Sequence, residues 1–223
     1  MSHVRNLGRI VGLTAIGLFL AACGNYEWHQ KLIVSVDTPN GVVSSSSVLK
    51  MRLSNQRSAF NPPEARGVSF SLSGEAVVLE LAPGRYLFAL LKGIPSLAEQ
   101  LYPKMDAIEA AKLLRNDKTD GSTVIKLTSD HYPLLVTFGE INDPASAKHV
   151  DPYNLEAAFG PGYRLIGVTL ALTDEPVTKG QVEKVLRWLT NSTVMENPGW
   201  SQLPLESRRA IGGLLSHFSK MKG

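Results

Sequence analysis

The chain has 223 residues, of which 43% are hydrophobic and 19% are charged, and its formal net charge is +3. Residues 1–22 hold two of the 23 basic residues and none of the 20 acidic ones, so residues 23–223 carry 21 basic and 20 acidic side chains, a net charge of +1. This composition excludes an intrinsically disordered chain. The near-neutral balance, without a stripe of lysine and arginine, also argues against nucleic acid as a partner.

The N-terminal segment has the layout of an export signal. Arg5 and Arg9 form a positive region, and residues 10–20 form an apolar stretch of 11 residues. A membrane-spanning helix needs roughly 20 apolar residues, so this stretch is too short to cross a bilayer and has the length of a secretory signal. Residues 1–22 are therefore predicted to be a signal peptide that is removed.

The segment ends in Leu20-Ala21-Ala22-Cys23. This string resembles the lipobox of bacterial lipoproteins at every position. The resemblance implies cleavage before Cys23, a diacylglycerol on its thiol and an acyl chain on its new N-terminus, and two or more acyl chains anchor a protein stably. The alternatives are an ordinary signal peptide with a chance cysteine, or an uncleaved core helix. Cys23 is the only cysteine, so no intramolecular disulfide can form.

The residue after the cysteine bears on the destination of the protein. In enterobacterial-type sorting, an aspartate there retains a lipoprotein in the inner membrane, whereas this chain has Gly24. The resemblance thus implies the periplasmic face of the outer membrane in a Gram-negative host. Residues 23–30 are expected to be the lipidated cysteine and a short tether, which spans about 25 Å when extended and holds the body close to the bilayer. Within this tether, Trp28 either lies at the headgroup level or packs on the first strand.

Alternating apolar residues after the tether predict an antiparallel β meander of four or five strands over residues 31–93. Residues 38–41 have turn chemistry, and Ser73-Gly74 reads as a tight turn between two neighbouring strands. Residues 85–91 are apolar on both faces, which is typical of a central strand. The expected strands begin at Lys31 and cover 48–53, 68–72, 77–81 and 85–91.

The second half mixes helices and strands. Asp143-Pro144 and Asp151-Pro152 each place a capping carboxylate before a proline, which is typical of a helix start. Thr178 and Gln181 fit a capping box before an amphipathic helix containing Val182, Val185, Leu186 and Leu189, and a second amphipathic helix contains Ile211, Leu214, Leu215 and Phe218. Further helices are expected at 96–102, 105–115 and 151–159, and strands at 124–127, 134–138 and 166–172.

These patterns together predict an α+β fold, with an antiparallel meander first, mixed α/β segments after it and two C-terminal amphipathic helices. Residues 31–223 are expected to form a single globular domain. The alternative is a β subdomain over 31–93 followed by an α/β part over 94–223.

The common local signatures of catalytic and metal sites are missing from the sequence. It contains no C-x-x-C, H-E-x-x-H, G-x-S-x-G or phosphate-binding loop motif. We therefore expect no cofactor and no metal, and a non-enzymatic role is favoured. The residues that come nearest to a metal or acid–base site are Asp130, His131 and His149, with Asp174 as a further acidic group.

Three strings, at residues 27–32, 84–91 and 132–136, resemble a set of uncharacterised proteobacterial lipoproteins. The resemblance covers most of the mature chain and implies no activity. The sequence thus predicts a membrane-anchored cell-envelope lipoprotein that binds or scaffolds another envelope component. The alternatives are a periplasmic hydrolase, or a small-ligand or lipid-binding protein, with a site that forms only in the fold.

Overall fold

The computed structural model describes residues 25–57, 62, 67–190, 205 and 208. Nine strands within this part of the chain form two antiparallel sheets. They are β1 (Asn25–Thr38), β2 (Gly41–Asn55), β3 (Val68–Ser73), β4 (Val77–Ala82), β5 (Arg85–Ala89), β6 (Asp120–Lys126), β7 (Leu135–Phe138), β8 (Ala147–Val150) and β9 (Arg164–Thr173). Sheet A has the order β3-β2-β1-β9-β6, and sheet B has the order β4-β5-β7-β8.

Four α-helices accompany the sheets in the described part of residues 25–190: α1 (Leu97–Leu101), α2 (Ala107–Leu114), α3 (Glu156–Phe159) and α4 (Gln181–Val185). The fold is therefore mixed but dominated by strands, which agrees with the α+β prediction at the coarse level. No helix in these residues combines the length and the apolar character of a membrane span.

The hairpin of β1 and β2 forms as the alternation predicts. Leu32, Val34 and Val36 point into the core and are fully buried, and the strands pair from Thr38 and Gly41 outward. β2 begins seven residues before the expected position 48, because the serine run 44–47 continues the ladder with β1.

The expected tether over residues 25–30 is wrong, since these residues are the first part of β1. They pair with β2 from Asn25 opposite Ser54 to Gln30 opposite Leu49. Trp28 is half-buried against the core and donates a hydrogen bond from Nε1 to the Gln30 side chain at 3.2 Å. Pairing satisfies backbone groups that a free tether would leave to water. Cys23, Gly24 and the predicted signal segment lie outside the described residues.

The predicted single meander is also wrong, because the chain changes sheets at Gly74. β3 pairs with β2 in sheet A, whereas β4 pairs with β5 in sheet B. Gly74 makes this crossing close to β2, at a φ of +145°. β5 is nevertheless the central strand that its apolar sequence predicts: it lies between β4 and β7 with Leu87, Phe88 and Ala89 fully buried.

The main core lies between the two sheets, where buried side chains of both belong to one cluster. A second cluster covers the other face of sheet B, with Phe88 and Val136 packed under Val182 and Leu186. Trp188 belongs to its edge and donates from Nε1 to the carbonyl of Ile141 at 2.9 Å.

The helices depart from expectation mainly near the C-terminus. The predicted helices at 96–102 and 105–115 form as α1 and α2, capped by Ser96 and Asp106. The helix expected from Asp151 is confined to α3, since Asp151 instead accepts a hydrogen bond from the Tyr153 amide within a turn.

The amphipathic pattern at 182–189 folds as α4 and a short 3-10 turn at Arg187–Thr190, separated at Leu186 by φ and ψ of −97° and 70°. The Thr178–Gln181 capping box is wrong, because the Thr178 hydroxyl accepts from the Val48 amide at 2.8 Å instead. The predicted helix with Ile211, Leu214, Leu215 and Phe218 lies outside the described residues.

Candidate binding cavity

A cavity of about 320 Å³ lies at the end of sheet A where β1 begins. We call it the β1–α2 cavity. Trp28, Leu114 and Leu172 supply much of its apolar surface, and polar side chains surround them. Its lining consists of Tyr26, Glu27, Trp28, His29, Ala111, Leu114, Arg115, Asp117, Thr119, Leu172, Thr173 and Asp174.

Helix α2 forms one wall because its apolar side faces the sheet. Ile108 and Ala111 pack with Leu53 and with the rings of Tyr26 and Trp28. An ion pair of 2.7 Å between Arg57 and Asp106 joins the end of β2 to the start of the helix. The helix is thereby held at its N-terminus and along its apolar side, and the small Ala111 lines the cavity between α2 and β1.

Strand β1 contributes an edge as well as side chains to this site. Its pairing with β9 begins at His29 opposite Thr173, so residues 25–28 pair only with β2 among the described residues. After Thr173 the chain leaves the sheet, and the side chain of Glu175 pairs with Lys31. We call residues 25–28 the free edge of β1.

The ladder shows which backbone groups the free edge presents. Val48 of β2 exchanges hydrogen bonds with Thr178, through its amide at 2.8 Å and its carbonyl at 3.0 Å, so its backbone groups point away from β1. Backbone direction alternates along paired strands. The amide and carbonyl of Glu27 therefore point away from β2, towards the side where Thr173, Asp174 and the cavity lie.

The charges around the cavity fall into paired and unpaired groups. Glu27 pairs with Lys50 at 2.6 Å and with Arg52, and the hydrogen bond from Lys50 lowers the pKa of the Glu27 carboxyl. The Arg115 guanidinium lies over the Tyr26 ring, 5.9 Å from its centroid, in a cation–π contact.

Asp117 accepts a hydrogen bond of 3.0 Å from the Tyr102 hydroxyl, and burial followed by this contact raises the pKa of Tyr102. Asp174 is exposed, and neither aspartate has an ion pair among the described residues. His29 donates from Nδ1 to the carbonyl of Glu175 at 2.7 Å, so its neutral ring has Nε2 as an acceptor.

The residues singled out from the sequence occupy other places. Asp130 and His131 lie in a 3-10 turn, where His131 Nδ1 is 3.1 Å from the Thr128 hydroxyl, and His149 is exposed on β8 opposite Val136. Of the four acid–base candidates, only Asp174 lines the β1–α2 cavity. In the described ranges no three His, Cys, Asp or Glu side chains are grouped as metal ligands.

The sequence did contain one signal of this cavity that our prediction missed. Tyr26, Trp28 and Gln30 continue, towards the N-terminus, the alternation of Leu32 and Val34. Following that pattern would have started β1 earlier and placed two aromatic rings on its inner face.

No protein-family model, curated protein or solved structure matches this chain. The N-terminal sequence and the β1–α2 cavity are therefore the features of this chain that bear on its function.

Proposed function

We propose that the protein is a lipid-anchored protein of the bacterial cell envelope that binds a segment of another envelope protein in the β1–α2 cavity, without catalysing a reaction. The anchor is supported by the lipobox ending at Cys23. The single observation that carries the binding role is the largely apolar cavity beside the start of β1.

The position of the cavity connects the two parts of this proposal. β1 begins at Asn25, and Tyr26 of the cavity follows Cys23 by three residues, a distance of about 10 Å at full extension. An anchor at Cys23 would therefore keep the cavity near the membrane surface, within reach of other envelope proteins.

The lining favours recognition over chemistry. Binding sites combine an apolar surface with a few polar groups that fix orientation. Trp28, Leu114 and Leu172 provide the apolar surface. The free edge of β1 and the charged side chains around the cavity provide the polar groups. His29 is the one histidine among the lining residues, and Nδ1 of its ring donates to the Glu175 carbonyl.

Site-specific photocrosslinking tests the binding role in intact cells. A benzophenone amino acid in place of Thr119, an exposed residue at the cavity, is expected to capture a discrete envelope protein that mass spectrometry identifies. The matched control carries the same group in place of Ser122, an exposed residue that does not line the cavity. The same product from both positions, or no product from Thr119, would contradict the proposal.

A further inference from the structure

The mode of binding follows from the free edge of β1 at residues 25–28. We propose that the partner binds as an extended peptide that adds a strand along this edge, with an apolar side chain in the β1–α2 cavity and a basic side chain near Asp174. This inference rests on the proposed function and specifies the chemistry of the partner.

The backbone of β1 supplies the pairing groups. Glu27 directs both its amide and its carbonyl away from β2, and β9 does not extend beyond Thr173 to meet them. A sheet edge with unpaired donors and acceptors is a template for another strand, and peptide recognition by strand addition uses such edges. The added strand would lie beside residues 25–28 of β1, in the same way that β9 lies beside β1 from His29 to Asp37.

The cavity determines which side chains of the added peptide can bind. Successive side chains of a strand point to opposite faces, so alternate residues of an added strand lie on the face of Tyr26 and Trp28. That face opens onto Leu114 and Leu172, which would contact an apolar side chain of the peptide. A simple aliphatic chain could use this apolar surface but would leave the Glu27 amide and carbonyl without partners among the residues that the structure describes.

The charged side chains around the cavity determine which charge the peptide should carry. Glu27 is neutralised by its two basic partners on β2, whereas Asp117 and Asp174 face only one cation of the lining, Arg115. Two carboxylates against one guanidinium leave a net negative charge, because the cation–π contact of Arg115 with Tyr26 does not remove the charge of the arginine. A lysine or arginine next to the apolar residue of the peptide would complement it.

The test uses a phage-displayed library of seven-residue peptides selected on the purified full chain. We expect selected sequences with an apolar residue close to lysine or arginine. A synthetic peptide from this set should lose at least ten-fold in affinity when alternate amides are N-methylated, since methylation removes the donors that pair with β1.

Proline variants test the same pairing from the protein side. Glu27→Pro removes the outward amide, leaves the β1–β2 ladder intact and should bind the peptide at least ten-fold more weakly than Glu27→Ala, which keeps that amide. Val124→Pro is the matched control: Leu127 of β6 donates to Val168, so the Val124 amide points away from β9 at the outer edge of β6, and binding should be unchanged.

Two results would overturn strand addition: equal affinity of Glu27→Pro and Glu27→Ala with both folded by thermal unfolding, or no effect of N-methylation. If Thr119 still captures a partner in cells, those results leave the proposed function standing. Absence of any captured partner would instead reject the proposed function itself.

Discussion

Glu75 is a fully buried acid that connects the two sheets to α4. Its carboxylate accepts the amide of Gln181 at 2.9 and 3.2 Å, and its carbonyl accepts the Ser47 hydroxyl at 2.7 Å. The side chain thus caps α4 from a distant part of the chain, in the role that the sequence pattern assigned to Thr178. A side chain 106 positions away from Gln181 leaves no local signal in the sequence.

Replacing Glu75 should lower the free energy of unfolding measurably. Glu75→Ala leaves the Gln181 amide without its partner inside the protein, so we expect the free energy of unfolding to fall by about 1–3 kcal/mol. Urea denaturation measures the change. Glu183→Ala, on the half-buried side of the same helix, is the control and should change it by less; equal losses would contradict a capping role for Glu75.

Glu75 also predicts a pH dependence. Burial raises the pKa of its carboxyl above the ordinary 4.5, partly opposed by hydrogen bonds from backbone amides at the start of α4. The folded state therefore holds this proton more tightly than the unfolded state, and stability falls as pH rises from 4.5 through the raised pKa. The stability of the native protein relative to Glu75→Gln should decline over that interval; a relative gain would contradict the assignment.

Among the elements, the connection from β3 to β4 depends on Gly74. A Cβ atom there would lie 2.7 Å from Leu49 Cδ2 and 3.3 Å from the Val48 carbonyl oxygen, at a positive φ that other residues avoid. Gly74→Ala should lower the free energy of unfolding by more than the roughly 1–3 kcal/mol of backbone strain alone. Gly84→Ala, with positive φ but nothing within 4 Å, is the control; equal losses in thermal or urea unfolding would show that the close approach to β2 is unimportant.

The change of sheet at Gly74 also shows which features of the strands can be predicted from the sequence. Alternation gave the buried face of β1 correctly, and the apolar sequence of β5 gave its central position, because burial of a strand face is a local property. In β9 the alternation held for Val168, Leu170 and Leu172 but not for Ile166, which is exposed beside the irregularity in the pairing with β1. The alternation could not show that β3 and β4 belong to different sheets, since Ser73-Gly74 is equally suited to a hairpin turn. Which strands pair depends on contacts between distant parts of the chain.

At the scale of the whole molecule, the β1–α2 cavity combines three segments at residues 26–29, 111–119 and 172–174. These segments are the start of β1, the end of α2 with the residues that follow it, and the end of β9. Only the antiparallel contact of β1 with β9, and the packing of α2 on β1, bring them together. The sequence predicted α2 and β9 but took residues 26–29 for a tether, so it missed the site.

The attachment of the molecule is tested at Cys23. Cys23→Ser should abolish incorporation of a clickable fatty acid and move the protein from the membrane fraction to the soluble fraction. Ser2→Ala, within the predicted signal peptide, is the control and should leave both readouts unchanged. Labelling that persists in Cys23→Ser would refute the lipid anchor.

The length of β1 has a mechanical consequence for the anchored protein that we propose. The strand has 14 residues, pairs with β2 along its whole length and with β9 from His29 to Asp37. A pull from the bilayer on Cys23 would run along this strand, whereas its hydrogen bonds lie across it. Many backbone hydrogen bonds of β1 then bear the force together, in shear, instead of breaking one after another. Sheet A would therefore resist unfolding by a force applied through the lipid anchor.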